Sequence, residues 1–300
     1  MQTLTLVDND LSDRKPAEAA LRSAGYDVLT ADDGVEGLAL IREKRPSAAV
    51  VELLLPKLHG FAVCQEIRTA PELRRTTKVV VTSSKSYPTD IKKALELGAV
   101  DFLVKPFDPE KLVAAVDKAC ADVPVPANEV SRLAALQGCK VLDSPPESAF
   151  DNLTMLASLI CDCPVALISL VDSDRQWFKS KVGTELQQTS RQVAFCAHAI
   201  LQQGVFVVPD ATKDARFNNN VLVTLYPGIR FYAGAPVLTP GGEALGTICV
   251  IDRVPRQLSP AQLECLKLLA RLVESQLALR RALAEANERV DRLTGADTAA

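Results

Sequence analysis

Apolar residues fall into short runs separated by amphipathic stretches over the first 121 positions. Thr3–Val7, Val28–Thr30, Ala48–Val51, Lys78–Thr82 and Val100–Val104 read as strands. Leu11–Ala24, Gly34–Lys44, Gly60–Thr69, Pro88–Leu97 and Pro109–Cys120 repeat their apolar residues at helical spacing. Gly25 and Gly98 fall where a left-handed residue closes a helix before the next strand. Strands that are apolar throughout are buried on both faces, as in a parallel sheet covered by helices. Five strands alternating with five helices predict an α/β unit with a doubly wound, five-stranded parallel sheet over residues 1–121.

The pattern then changes. Residues 122–129 hold Pro124 and Pro126 and little periodicity, so they read as a semi-rigid linker. A short helix over Glu129–Leu136 follows, and the stretch Ser144–Ser148 reads as a turn capping a helix over Ala149–Cys161. Pro164–Val171 and Gln176–Lys181 flank the hairpin composition Asp172–Arg175. With Val205–Val208, Phe231–Val237 and Leu245–Ile251 they predict an antiparallel sheet of five or six strands in an α+β domain over 130–285. Ser259 and Pro260 begin a C-terminal helix over 259–293. Its residues Cys265, Leu269, Leu272, Gln276, Leu279, Leu283, Ala286, Val290 and Leu293 alternate at four and three, the seam of a coiled coil. That seam predicts a homodimer; the competing reading is a helix packed back on its own domain.

Composition narrows the classes. In a chain of 300 residues, a net charge of −3 with no basic run argues against nucleic acid as a partner. No apolar run reaches the ~18 residues of a membrane span, and the N-terminus lacks the basic start of a signal peptide. Eight cysteines without framework spacing read as reduced thiols, mostly core, in a cytoplasmic protein.

The chemistry lies at the strand ends. Asp8, Asn9 and Asp10 follow the first strand, Glu52 ends the third, Thr82 the fourth, and Lys105-Pro106 the fifth. In a parallel sheet these ends share one edge, so the side chains converge at the carboxyl mouth. This set resembles the active site of response-regulator receiver domains on a flavodoxin-like fold. The resemblance implies that Asp8 is the first metal-binding acid, Thr82 the phosphoryl-tracking hydroxyl, Lys105 the invariant cation and Phe102 the aromatic switch residue. It also implies a cis bond before Pro106, and partners among signalling proteins, either a histidine kinase or a downstream effector.

Two positions depart from that family. Asn9 replaces the second acid, and Glu52 stands where the family keeps its aspartyl phosphoacceptor. Magnesium favours several oxygen ligands around it. Asp8 and Glu52 against Lys105 sum to about −1, so any magnesium held through Asp8 should bind weakly. Glu52 is one methylene longer than aspartate and reaches toward Lys105 and Thr82. A salt bridge there holds the switch in one state, which predicts a pseudo-receiver.

In the second half, Asp174–Phe178, Ala194–Ile200, Val208–Ala211, Arg230–Pro236 and Gly246–Asp252 look like the motifs of GAF sensor domains. The resemblance implies a small-molecule pocket, and Trp177, Phe195, Phe217, Arg230 and Tyr232 are its candidate lining, with Cys196 and His198 nearby. The ligand is unknown, no cofactor is required, and plain core packing stays open for each of these residues. Asp291–Gly295 resembles the entry to diguanylate cyclase domains. The resulting expectation is a non-enzymatic receiver–GAF adaptor of two-component signalling without an output enzyme. A working phosphorelay regulator and a thiol-based reductase of GAF fold remain the alternatives.

Overall fold

The computed structural model describes the backbone of residues 1–296; the side chains of Glu288, Asp291 and residues 293–296 lie outside the described residues, as do positions 297–300. The cyclase-like motif and the last seam residue, Leu293, therefore fall largely outside it.

The first unit runs β1 (Thr3–Val7), α1 (Leu11–Ser23), β2 (Asp27–Ala31), α2 (Gly34–Lys44), β3 (Ala48–Glu52), α3 (Gly60–Thr69), α4 (Pro71–Thr76), β4 (Lys78–Ser83), α5 (Pro88–Glu96), β5 (Ala99–Val104) and α6 (Pro109–Cys120). Its five strands are all parallel in the order β2-β1-β3-β4-β5. The chain winds outward from β1 on both sides, as the alternation predicts. The short helix α4 is an addition to the sequence reading. Pro71 opens it, and three residues of its six are charged, so it carries little apolar periodicity.

Residues 121–128 form no helix or strand. The second unit runs α7 (Glu129–Gly138), α8 (Ser148–Cys161), β6 (Val165–Val171), β7 (Arg175–Val182), β8 (Gln188–Ser190), a 3₁₀ turn (Arg191–Val193), α9 (Phe195–Ala199), β9 (Phe206–Val208), α10 (Val221–Thr224), β10 (Phe231–Leu238), β11 (Ala244–Asp252) and α11 (Pro260–Ala296). Its six strands are antiparallel in the order β8-β7-β6-β11-β10-β9. Helices α7, α8 and α11 cover one face; α9, α10 and the loops around them cover the other. Within the turn Ser144–Ser148, Glu147 takes the cap position of α8 without a side-chain hydrogen bond, and the Ser144 hydroxyl donates to the Val141 carbonyl at 2.6 Å.

Helix α11 divides its apolar residues between two tasks. Ser259 accepts from the Gln262 amide at 3.2 Å while the Gln262 side chain accepts from the Ser259 amide at 2.9 Å, a reciprocal cap. Leu266, Leu269, Ala270, Val273 and Leu277 bury against the domain. Leu269 thus belongs to the core rather than the seam, a correction. Leu272, Leu279, Leu283 and Val290 remain exposed on another stripe. Among the described residues, no helix is long and apolar enough to cross a membrane.

The two units touch through side chains. Arg68 on α3 donates to Asp174 at 3.0 Å and to Gln188 at 2.8 Å. The Gln188 amide donates to the Glu96 carbonyl at 3.0 Å, and Lys92 on α5 pairs with Glu185 at 2.5 Å. Near the linker, Gln192 donates to the carbonyls of Ala119 and Ala121, both at 3.0 Å.

Candidate functional site: the carboxyl mouth and the sensor interior

At the carboxyl edge of the parallel sheet the strand ends meet around one ammonium. Lys105 Nζ donates to Asp8 Oδ2 at 2.6 Å and lies 2.8 Å from Glu52 Oε2 and 3.0 Å from Asp13 Oδ2. Thr82 Oγ1 donates to Glu52 Oε2 at 3.3 Å, and the Leu54 amide donates to Glu52 Oε1 at 3.1 Å. Both carboxylate oxygens of Glu52 are therefore engaged, and the residue is buried. The backbone around it is close-packed: a Cβ added at Gly60 would lie 2.2 Å from the Glu52 carbonyl oxygen, so only glycine fits there.

Burial alone would push the Lys105 ammonium down. Its hydrogen bonds to Asp8, Glu52 and Asp13 outweigh burial and hold it above the ordinary lysine range. Asn9 is exposed and makes no contribution to this cluster. Asp10 turns away from it, accepting from the Ser12 amide at 2.8 Å as the cap of α1. Phe102 is buried on β5, and the Lys105–Pro106 bond is cis.

Asp13 is the residue the strand-end reading missed. It lies on the first turn of α1, three residues past the Asp10 cap, and that turn stands over the mouth. The signal was there in the helix phase rather than in the strand. With Asp13 included, three carboxylates against one ammonium sum to −2, not −1. The set does not fit magnesium as it stands. Magnesium asks for near-octahedral oxygen at ~2.0–2.1 Å, whereas Asp8, Asp13 and Glu52 are turned onto a lysine. Among the described residues no cluster of three acids, histidines or cysteines is arranged to hold a metal.

The candidate sensor pocket is filled by its own side chains. Phe195 and Phe217 stack with ring centres 3.9 Å apart, Phe195 lies 5.3 Å from Tyr232, and His198 meets Phe217 edge-on at 4.9 Å. Phe206, which the sequence reading did not single out, completes the cluster at 6.2 Å from Phe217 and 5.9 Å from Tyr232. Arg216 lies over Phe206 and Phe217 as a cationic lid. An apolar cavity on the same face of the sheet, lined among others by Val165, Phe178, Leu222 and Ile251, holds about 40 Å³. That is far below the ~300 Å³ where small-ligand sites begin.

Two of the proposed lining residues lie elsewhere. Trp177 packs on the opposite face of the sheet, against the α7–α8–α11 layer, because neighbours on a strand alternate and Phe178 takes the inner face. Arg230 donates to the Val223 and Ile229 carbonyls at 2.8 and 3.0 Å, tying α10 to the start of β10. It is a clamp on a loop, not a ligand group.

Cys196 sits at the start of α9, where its sulfur accepts from Thr247 at 3.2 Å and from Tyr232 at 3.4 Å. Burial would push this thiol up, but hydrogen bonds from Cys249, Ser169, Thr247 and Tyr232 outweigh it and bring it down. Cys249 on β11 is its neighbour and is pushed up by burial, so Cys196 is the thiol of the pair that ionises first. Cys161 and Cys163 belong to the other face of the sheet and do not join them. Burial comes first for His198 too: it lowers the imidazole, and the Arg216 charge adds to that.

A parallel five-stranded sheet whose mouth gathers two acids, a hydroxyl and a lysine from four strand ends defines a receiver-type signalling module. The profile of the response regulator receiver domain matches residues 4–117, and that of the GAF domain matches residues 145–277. A DNA-binding response regulator, MtrA, of Mycobacterium leprae is 32% identical over 171 residues, which cover 52% of this chain and 72% of that protein. The chain belongs to the response regulator receiver family, with a GAF domain following the receiver, and is a two-component signalling protein. A cyclic di-GMP phosphodiesterase of Pseudomonas aeruginosa is 43% identical over 158 residues, 52% of this chain; the chain spans 27% of that relative's length. Among solved structures, the chemotaxis response regulator CheY4 of Vibrio cholerae is 28% identical, covering 40% of this chain and 98% of its own, with a TM-score of 0.38.

Proposed function

We propose that the receiver half is a pseudo-receiver, held in one state by its own Glu52, and that the chain signals through protein–protein contact. The observation that carries this is the double engagement of Glu52 by Lys105 and Thr82. A phosphoryl acceptor needs a free carboxylate oxygen and a counter-cation for the incoming phosphate. Here both oxygens are bonded and the lysine is already neutralised. The two domains described carry out no catalysis of their own, and the exposed stripe Leu272, Leu279, Leu283 and Val290 pairs with a second copy as a coiled coil. The aromatic filling of the GAF interior supports a role as a rigid contact module. Ligand sensing there requires Phe217 or Phe195 to move aside.

Incubation with acetyl phosphate and magnesium tests the reading. The intact mass should stay unchanged. A stable gain of one phosphoryl group that disappears on Glu52→Gln would overturn it. The name of the Pseudomonas relative favours a second reading, in which these domains regulate cyclic di-GMP turnover in a larger assembly. Under either reading the purified chain should leave cyclic di-GMP intact over hours, as read by chromatography.

A further inference from the structure

Helix α8 carries no charged residue over its last ten positions, Asn152 to Cys161. One of its sides is accounted for: Phe150, Leu153, Thr154, Ala157 and Cys161 are buried against the rest of the domain. The other side shows Met155, Leu156, Leu159 and Ile160 to solvent, each between 38% and 69% exposed. A helix that is apolar on every side belongs inside a structure, whereas a surface helix keeps a charged outer stripe. The receiver does not cover this side, since it docks through Arg68 and Gln192 at the β8 edge.

The exposed side of α8 leans toward α11. The two helices lie side by side and antiparallel: the Gln262 side chain donates to the Ile160 carbonyl at 3.0 Å at one end, and Arg280 pairs with Glu147 at the other. Asp151 marks the opposite flank of α8, where it accepts from Ser180 of β7 at 2.7 Å. By helix phase Leu156 and Ile160 therefore fall on the α11 side. On α11, Gln262, Gln276 and Arg280 share the flank toward α8, and Leu272 and Leu279 lie between that flank and the solvent. Leu268, one turn before Leu272, is exposed and continues the row. The result is one apolar face across two helices. A helix seated along Leu272 and Leu279 necessarily rests on α8 as well.

We infer that a second copy of this chain covers this face, its own α8–α11 pair completing a four-helix bundle at the base of the coiled coil. The inference rests on the coiled-coil reading of α11 and adds α8 to it. The size fits. These seven side chains present about 600 Å² of apolar surface per copy, at the top of what a monomer leaves to water and close to the ~800 Å² each partner gives a stable interface. A two-fold axis sets the same apolar patch on both sides, so the face complements itself without a further charge pair. Glu264, Lys267 and Arg271 beside the row carry both signs, where a helix lying on a membrane would carry a basic rim.

Sedimentation equilibrium of the full chain tests this with a substitution outside α11. Leu159→Glu alters the most exposed residue of the face and touches neither core, so the circular dichroism should stay unchanged. It should raise the dimer dissociation constant about tenfold or more, and Met155→Glu with Leu159→Glu should leave a monomer at micromolar concentration. Leu201→Glu, the same exchange on the far side of the GAF sheet, should change nothing. An unchanged dissociation constant in both α8 variants, while Leu272→Glu with Leu279→Glu still separates the copies, would overturn the bundle and leave the coil standing. A monomeric unmodified chain would overturn both, and its Leu159-dependent adsorption to phosphatidylcholine vesicles would assign the face to a lipid surface instead.

Discussion

The receiver mouth and the GAF interior are both places where a signalling domain would receive its input, and in this chain both are closed from within. They are closed by opposite means. At the mouth, charge closes the site: three carboxylates bracket Lys105 within 3.0 Å. In the GAF domain, area closes it: Phe195, Phe206, Phe217 and Tyr232 stack where a ligand would lie. The difference predicts different failures. An apolar plug, once removed, leaves a hole that accepts any ring of the right size. A buried ion cluster, once broken, leaves unpaired charge that asks for another cation.

The largest effect should come from the plug. Phe217→Ala removes a ring stacked on Phe195 and in contact with His198 and Phe206, and should cost about 4 kcal/mol in urea unfolding. The cavity it opens should take up indole, with the midpoint recovering as indole is added; a loss below about 1 kcal/mol would show that the cluster is loosely packed.

Lys105→Ala should cost about 3 kcal/mol, because Asp8 and Glu52 then stay buried without a counter-charge. Here magnesium should restore part of the loss in the variant and none in the unmodified protein. Losses insensitive to magnesium would mean that the three acids separate once the lysine is gone. The raised ammonium also sets a pH limb. A cation whose affinity for its proton is greater in the folded state contributes fully below its ordinary value of 10.5 and is lost as the pH climbs above it. Stability of the unmodified chain should therefore fall above about pH 10.5, and that limb should flatten in Lys105→Ala.

Glu52→Gln keeps one acceptor oxygen for Lys105 and Thr82 but sets an amide N–H against the Leu54 N–H, and should cost about 2 kcal/mol. The smallest change in stability belongs to Leu272→Glu with Leu279→Glu, since both residues are exposed and outside either core. That pair should leave the unfolding midpoint in place and convert a dimer to a monomer in sedimentation. Sedimentation of the unmodified chain as a monomer at micromolar concentration would remove the coiled-coil proposal.

The two regions also differ in how far the sequence discloses them. Strand ends are legible because an apolar run stops where a parallel strand stops, and parallel topology puts all such ends on one edge. Asp8, Glu52, Thr82 and Lys105 meet for that reason. Asp13 was hidden because it reaches the site from a helix, where position depends on the phase set by the Asp10 cap. The GAF interior is less legible. Its motifs mark the domain, and the strands that carry them were placed, but whether Phe195, Phe217 and Tyr232 line a cavity or fill it is a question of volume. Composition does not carry volume. Trp177 shows the same limit on a smaller scale: one step along β7 moves a side chain to the other face of the sheet. The short strand Gln188–Ser190 escaped notice because three residues show no alternation. Its placement at the sheet edge nonetheless sets Gln192 against the end of the receiver.

The central claim is that Lys105, not a metal ion, holds the receiver mouth. Magnesium titration of the unmodified chain, followed by the ¹⁵N–¹H signal of the Lys105 ammonium and the carboxyl carbons of Asp8, Asp13 and Glu52, tests it directly. The account predicts an ammonium signal protected from exchange and four sets of shifts that stay in place as magnesium rises to millimolar concentration. Saturable movement of the Asp8 and Asp13 carboxyl signals, with loss of the protected ammonium, would contradict it.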